Sequence, residues 1–323
     1  MLKRLLVSIL ITVGIIAFLF TQISLKDLYI LLKSIDPFWA ILGSTGYFLA
    51  VLFRALRYKW LIHSRDIPLS ELFRISTFYH LSLMVLPSKL GELSYPYLLN
   101  KISGMSMTEG MASLIASRVY DFFIFLMIFL FASIGFQSFF KINFFFVILL
   151  SVFLIGLTLL LFFYMSDFLR LFSNFMGKIS QRIGAKNSKP FQWTQRKIHE
   201  IAEDFYAIKA RKTYFPVTVT SLVTWITIYW MFYAFLRGFG IEISFLKVVF
   251  GSTIAVLANA SPISGIGNWG TLEIGWAAGF LMVGLSKEKA IATGFGVHIV
   301  VFVVCTMMAF ISWVTLTLHR KER

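Results

Sequence analysis

The sequence predicts an all-α polytopic membrane protein with about six full spans and two re-entrant helical hairpins in an inverted-topology repeat. Three observations carry that prediction. Of 323 residues, 58% are hydrophobic and 14% charged, with mean hydropathy +0.81; a soluble domain has roughly 25% charged residues, so this chain cannot cover its own surface in water. Apolar windows of about 20 residues, long enough to span at ~1.5 Å rise per residue, recur from one end to the other. Finally, two apolar runs are broken by the polar, backbone-irregular stretches "PSKLG" and "SPISGIGNWG". Such backbone is tolerated at membrane depth where it is buried in protein or lines a wet cavity.

The elements follow in order. Leu5–Ile23, preceded by Lys3 and Arg4, has no small-residue cleavage site before Ser24, so it is expected to stay as a first span. Pro37–Leu56 is the second. The run from Leu72 to Leu86 reaches about 22 Å, short of the ~30 Å hydrocarbon core. It breaks at "PSKLG" and resumes briefly, which makes 72–100 a hairpin. Gly110–Gly135 and Asn143–Tyr164 are the third and fourth spans, and they close a first half over 5–164. Residues 165–213 form a basic cytoplasmic loop or a pair of surface helices, too short for an independent core. The second half, 214–318, holds spans Tyr214–Leu236 and Ile291–Leu318 around a second hairpin, 248–284. The whole chain, 1–323, is expected to be a single integral membrane domain.

Net charge is +15, and its placement orients the chain. The expected inner ends carry two Lys/Arg at the N-terminus, three over 57–65, ten over 166–212 and three at the C-terminus. The expected outer connections carry Lys26, Lys33, Lys141, Arg237, Lys247, Lys287 and Lys289. The positive-inside rule then puts both termini and the basic segment in the cytoplasm, in a cell (inner) membrane. A cysteine placed at Lys186 should therefore label from the cytoplasmic side; labelling from outside would reverse the orientation and dissolve the inverted repeat. With six spans, the first hairpin enters from the cytoplasm and the second from outside, so that the two breaks meet and form a substrate site.

Several functions are excluded. The basic residues sit on membrane-edge segments without a nucleic-acid fold, so nucleic acid is not an expected partner. The single cysteine, Cys305, rules out disulfides and a cysteine metal site. No zinc-helix pattern, P-loop, dinucleotide glycine motif or nucleophile elbow is present, so no cofactor, metal or enzymatic activity is expected.

The candidate site residues cluster at the breaks. Pro87, Ser88, Lys89, Gly91 and Glu92 form the first tip, where a helix start and the Lys89 ammonium favour a phosphate or carboxylate. A solvated turn with a snorkelling lysine is the plainer alternative. Pro262, Gly265, Gly267, Gly270 and Glu273 form the second tip, with Glu273 placed either to cap the next helix or to serve a site. Arg118 and Asp121, at i and i+3 inside a span, share a face and can pair, as a structural lock or around a cavity. Arg54 and Arg57 are expected to reach lipid phosphates at the inner membrane edge. His80 and His298, without ligand-spaced companions, read as packing histidines.

At "RALRYKW", "LPSKLGELSYPYLLNKISGMS", "ASRVYDF" and "SPISGIGNWGTLE" the chain resembles the lysylphosphatidylglycerol synthase transmembrane-region family over nearly its whole length. That family includes the flippase half of the bacterial multiple-peptide-resistance factor. The resemblance points to Arg54, Arg57, Pro87, Gly91, Glu92, Arg118, Asp121, Pro262, Gly267 and Glu273. The soluble aminoacyl-transferase domain of the bifunctional members is not among these residues, so tRNA-dependent aminoacylation is not expected of this chain. The second tip carries "PISGIGNWG" in place of the Pro-Gly-Gly common in the family.

These readings give a translocase that moves an anionic, aminoacylated or polyprenyl-phosphate lipid between leaflets. Lys89 and Arg118 would counter phosphate, while Glu92, Asp121 and Glu273 would take a cationic group or a proton. A membrane enzyme acting on a lipid phosphate, or a non-transporting scaffold, are the competing readings. Expected partners are membrane lipids and a lipid-modifying enzyme or glycosyltransferase.

Overall fold

A computed structural model describes residues 12–86, 88–134, 144–182, 188–259 and 265–321, with the side chains of 88, 89, 144, 316 and 318–321 left aside. Twelve α-helices and one 3-10 turn are formed by them. In chain order the helices are α1 (Thr12–Phe20), α2 (Leu25–Lys33), α3 (Pro37–Leu61), α4 (Leu69–Val85), α5 (Ser94–Ser103), α6 (Met107–Ile134), α7 (Phe144–Arg182), α8 (Lys189–Ala210), α9 (Tyr214–Gly238), α10 (Phe245–Asn259), α11 (Thr271–Met282) and α12 (Lys287–Lys321). The 3-10 turn, Ser88–Leu93, joins α4 to α5. Among the described residues, α3, α6, α7, α9 and α12 are long and apolar enough to cross a membrane.

The described part of the first expected span, Leu5–Ile23, is helical, and the chain turns sharply at its end. The helix ends at Phe20, and α2 turns away by 85°. The turn has a local cause: Ser24 Oγ accepts the Asp27 N–H at 3.1 Å while the Asp27 carboxylate accepts the Ser24 N–H at 3.2 Å. This reciprocal cap starts a new helix where the old one would have continued. At α3 the start is fixed by Asp36, whose carboxylate accepts the Phe38 N–H at 2.8 Å, with Pro37 in the first turn. The fourth expected span runs on through the basic segment. Helix α7 has 39 residues, about 58 Å, and α8 returns along it, burying Ala202, Phe205 and Ile208.

Both interruptions are helical hairpins. Helix α4 has 17 residues and α5 has 10, about 25 and 15 Å, so neither crosses alone. The 3-10 turn folds back on α4 so closely that a Cβ on Gly91 would lie 2.9 Å from the Ser82 carbonyl oxygen. Helices α10 and α11, with 15 and 12 residues, touch backbone to backbone. A Cβ on Gly279 would lie 2.0 Å from the carbonyl oxygen of Gly251.

The two tips meet. The Gly267 N–H donates to the Leu86 carbonyl at 3.2 Å, and a Cβ on Gly267 would sit 2.0 Å from the Met84 carbonyl oxygen. With φ of 57°, Gly267 also occupies the left-handed region that side chains disfavour. Gly265 packs against Thr12 of α1, whose hydroxyl accepts the Ile266 N–H at 2.7 Å.

The apolar interior has two parts. One is built from α1 to α3, α6 and α9 to α12, around Phe125, Trp225, Phe235, Trp276 and Phe295. The other lies around Tyr58, Tyr79, Tyr95, Tyr120 and Phe205, on the end of α3 and on α4, α5, α6 and α8. Arg57, Glu92, Arg118 and Asp121 lie where these parts adjoin, between Trp225 of the first and Tyr79 of the second.

Candidate functional site

Four helices and the first tip deliver the polar side chains. Helix α3 brings Arg54 and Arg57, α4 brings Tyr79 and His80, the 3-10 turn brings Glu92, α6 brings Arg118 and Asp121, and α9 brings Ser221 and Trp225. Asp121 is the centre. Its Oδ1 accepts from Arg57 Nη1 at 2.7 Å and from Trp225 Nε1 at 3.0 Å; its Oδ2 accepts from Arg57 Nη2 at 3.2 Å and from Arg118 Nη1 at 3.5 Å. Arg57 Nη1 also donates to Ser221 Oγ at 3.1 Å. The side chains of Arg57 and Asp121 are 1% and 5% exposed, so this is a closed, bidentate ion pair.

A second pair stands in front of it. Arg118 Nη2 donates to both carboxylate oxygens of Glu92 at 2.8 Å, and Tyr79 Oη, itself accepting from Arg118, donates to Glu92 Oε2 at 2.7 Å. Here the side chains stay 35% and 25% exposed. The rim is apolar: Phe122, one turn after Arg118, and Leu90, Leu93 and Tyr97 around Glu92 are all exposed.

Donors outnumber acceptors in this cluster. Three guanidinium groups face two carboxylates, and the Nε atoms of Arg54 and Arg57 are buried without a hydrogen-bond partner among the described residues. A surplus positive charge with spare N–H groups suits an anion.

The structure changes several sequence readings. Arg118 and Asp121 do share a face, but each finds its shorter contact elsewhere, Asp121 with Arg57 and Arg118 with Glu92. Arg57 presents both Nη atoms head-on from a facing helix, a geometry that two residues on one helix cannot match. Arg57 therefore does not snorkel to the membrane edge as expected. Arg54 also turns inward, to His80 Nε2. A carbonyl only accepts, so His80 Nδ1 donates to Ser76 O at 2.6 Å, and its Nε2 is free to accept from Arg54.

Glu273 does not join this group. It is fully buried, with Oε2 accepting the Gly270 N–H at 2.6 Å and Oε1 lying 2.6 Å from His298 Nδ1. Both oxygens are thus committed, one to capping α11 and one to a histidine of α12. Trp269 stacks on that imidazole, centroids 4.0 Å apart. Pro87, Pro262 and the Lys89 side chain lie outside the described residues; the Lys89 backbone belongs to the 3-10 turn.

Tyr79, Ser221 and Trp225 were not singled out from the sequence. The only trace of the last two is a hydroxyl-rich start to α9, "TVTSLVTW", and Tyr79 is one tyrosine among twelve.

A family model described as lysylphosphatidylglycerol synthase TM region matches residues 5–309. No curated protein and no solved structure matches the chain.

Proposed function

Because the chain belongs to the lysylphosphatidylglycerol synthase transmembrane-region family, we propose that it is a lipid translocase in the inner membrane, termini cytoplasmic, that passes an anionic headgroup between leaflets. The observation that carries this reading is the two-layer charge cluster. Arg57–Asp121 is sealed and fixes the helices, while Arg118–Glu92 is partly open and rimmed by exposed Phe122, Leu93 and Tyr97. An amphiphile needs that combination, a polar locus for its headgroup beside an apolar surface for its chains. The lipid phosphate would take Arg118 and Lys89, and a cationic substituent would take Glu92.

The hairpins fit the role. Neither arm spans alone, and the tips touch through Gly267 and Leu86, which supports the reading of an inverted-topology repeat with its site at the break. In this reading the first hairpin enters from the cytoplasm and the second from outside.

The test is lipid movement in vesicles reconstituted with the purified protein and a fluorescent phosphatidylglycerol. Arg118→Gln and Glu92→Gln should each slow movement roughly tenfold or more, the worth of a hydrogen bond to a charged group. Their melting temperatures should move little, because the pair is partly solvated. Unaltered rates would remove the pair from the site. Chemical conversion of the lipid would favour the enzyme reading, and a folded protein that moves no lipid would favour the scaffold.

A further inference from the structure

The Glu273–His298 pair has no part in the headgroup cluster, yet few features of the molecule are as enclosed. Resting on the translocase reading, we propose that this pair is a proton-binding site and that lipid movement is coupled to the movement of a proton through it.

The two side chains are 0% and 2% exposed and 2.6 Å apart; Trp269 lies on the imidazole, and Trp276, one turn after Glu273, and Phe295, one turn before His298, are buried. With one proton shared, as carboxyl with imidazole or carboxylate with imidazolium, the pair is neutral overall. Without that proton a negative charge is left in an apolar wall, which is strongly unfavourable unless another charge compensates it.

No such charge faces it. Among the described residues no lysine or arginine lies within ion-pairing distance of Glu273. On the packed elements, Arg54, Arg57, Tyr79 and His80 belong to the headgroup cluster, Asp27 caps α2, and Lys287 donates to Gln22. Tyr229 bonds Thr253, Tyr47 faces Cys305, Glu71 and Arg74 lie in the first two turns of α4, and Lys247 is in the first turn of α10. The proton therefore leaves to water only if the wall opens.

Opening the wall moves the tip. The second carboxylate oxygen of Glu273 holds the Gly270 N–H, Trp269 lies flat on His298, and three residues earlier the Gly267 N–H holds Leu86 of the first hairpin. Proton, second tip and first tip thus form one contiguous chain of contacts that ends at Leu86, on the first hairpin. A displaced tip exposes the proton, and loss of the proton removes the neutral state that closes the tip; the two effects are reciprocal by linkage. The only bond change is transfer of one proton between the pair and water.

Two measurements test this. In vesicles with the membrane potential clamped, a gradient of one pH unit coupled to one proton per lipid shifts the leaflet ratio of fluorescent phosphatidylglycerol about tenfold at equilibrium. That shift is lost in Glu273→Gln and in His298→Gln, each read as a ratio so that slower movement does not imitate it. In parallel, infrared titration of the whole protein in nanodiscs should show a protonation-dependent carboxyl band that disappears in Glu273→Gln and changes its titration midpoint in His298→Gln. Wild-type lipid movement indifferent to the gradient would overturn the coupling. A titration with no band sensitive to Glu273→Gln would overturn the proton site. A wild-type protein that moves no lipid would overturn the translocase reading instead, and the infrared result would then decide the proton site alone.

Discussion

Replacing Asp121 by alanine should destabilise the protein by about 3–5 kcal/mol, the loss expected when one member of a buried ion pair is removed. Arg57 would keep its charge at 1% exposure with its bidentate acceptor gone, and Trp225 Nε1 would lose its partner as well. The effect should exceed that of Glu92→Ala, whose partner Arg118 can turn to solvent. Thermal unfolding in detergent micelles, followed by tryptophan fluorescence, measures both. The companion experiment combines Arg57→Met with Asp121→Asn. The asparagine oxygen still accepts from Trp225 and no charge is stranded, so more than half of the lost stability should return. A double variant as unstable as Asp121→Ala would mean that shape, not charge, dominates at this position.

A single methyl group at Gly279 should be nearly as damaging. Its Cβ would stand 2.0 Å from the oxygen and 2.8 Å from the carbonyl carbon of Gly251, and backbone cannot rotate away as a side chain can. Helices α10 and α11 would have to separate, at a cost of about 1–3 kcal/mol or more. Glu273 and the Gly267 contact with Leu86 ride on this hairpin, so lipid movement should fall with stability. Gly156→Ala is the control. Nothing lies within 4 Å of a Cβ there, and alanine in a helix interior should be neutral or stabilise by up to ~1 kcal/mol. Equal melting temperatures for Gly279→Ala and wild type would show that the hairpin is looser than its backbone contact implies.

The helical class, the membrane character and the two breaks were legible in the sequence because each is written locally. Apolar windows of span length, a proline and glycines inside such windows, and the i, i+3 spacing of Arg118 and Asp121 all depend on residues a few positions apart. So did the start of α3 at Pro37. The choice of partner was not legible. Arg57 meets Asp121 across 64 positions, Arg118 meets Glu92 across 26, and Glu273 meets His298 across 25. Each helix presents charge on a known face, but the rotation and height at which two helices pack depend on close approaches such as Gly279 on Gly251 and Gly267 on Met84, which couple distant segments. The Arg118–Asp121 spacing was therefore read as a pair when a facing helix supplied Asp121 with a better one. By the same logic Arg57, four residues from the end of α3, looked like an edge residue until α6 and α9 closed over it. The local sequence determined which segments are apolar helices and where they break; only tertiary packing decided which charges turn inward and neutralise one another, because a buried charge settles on the partner that geometry brings head-on.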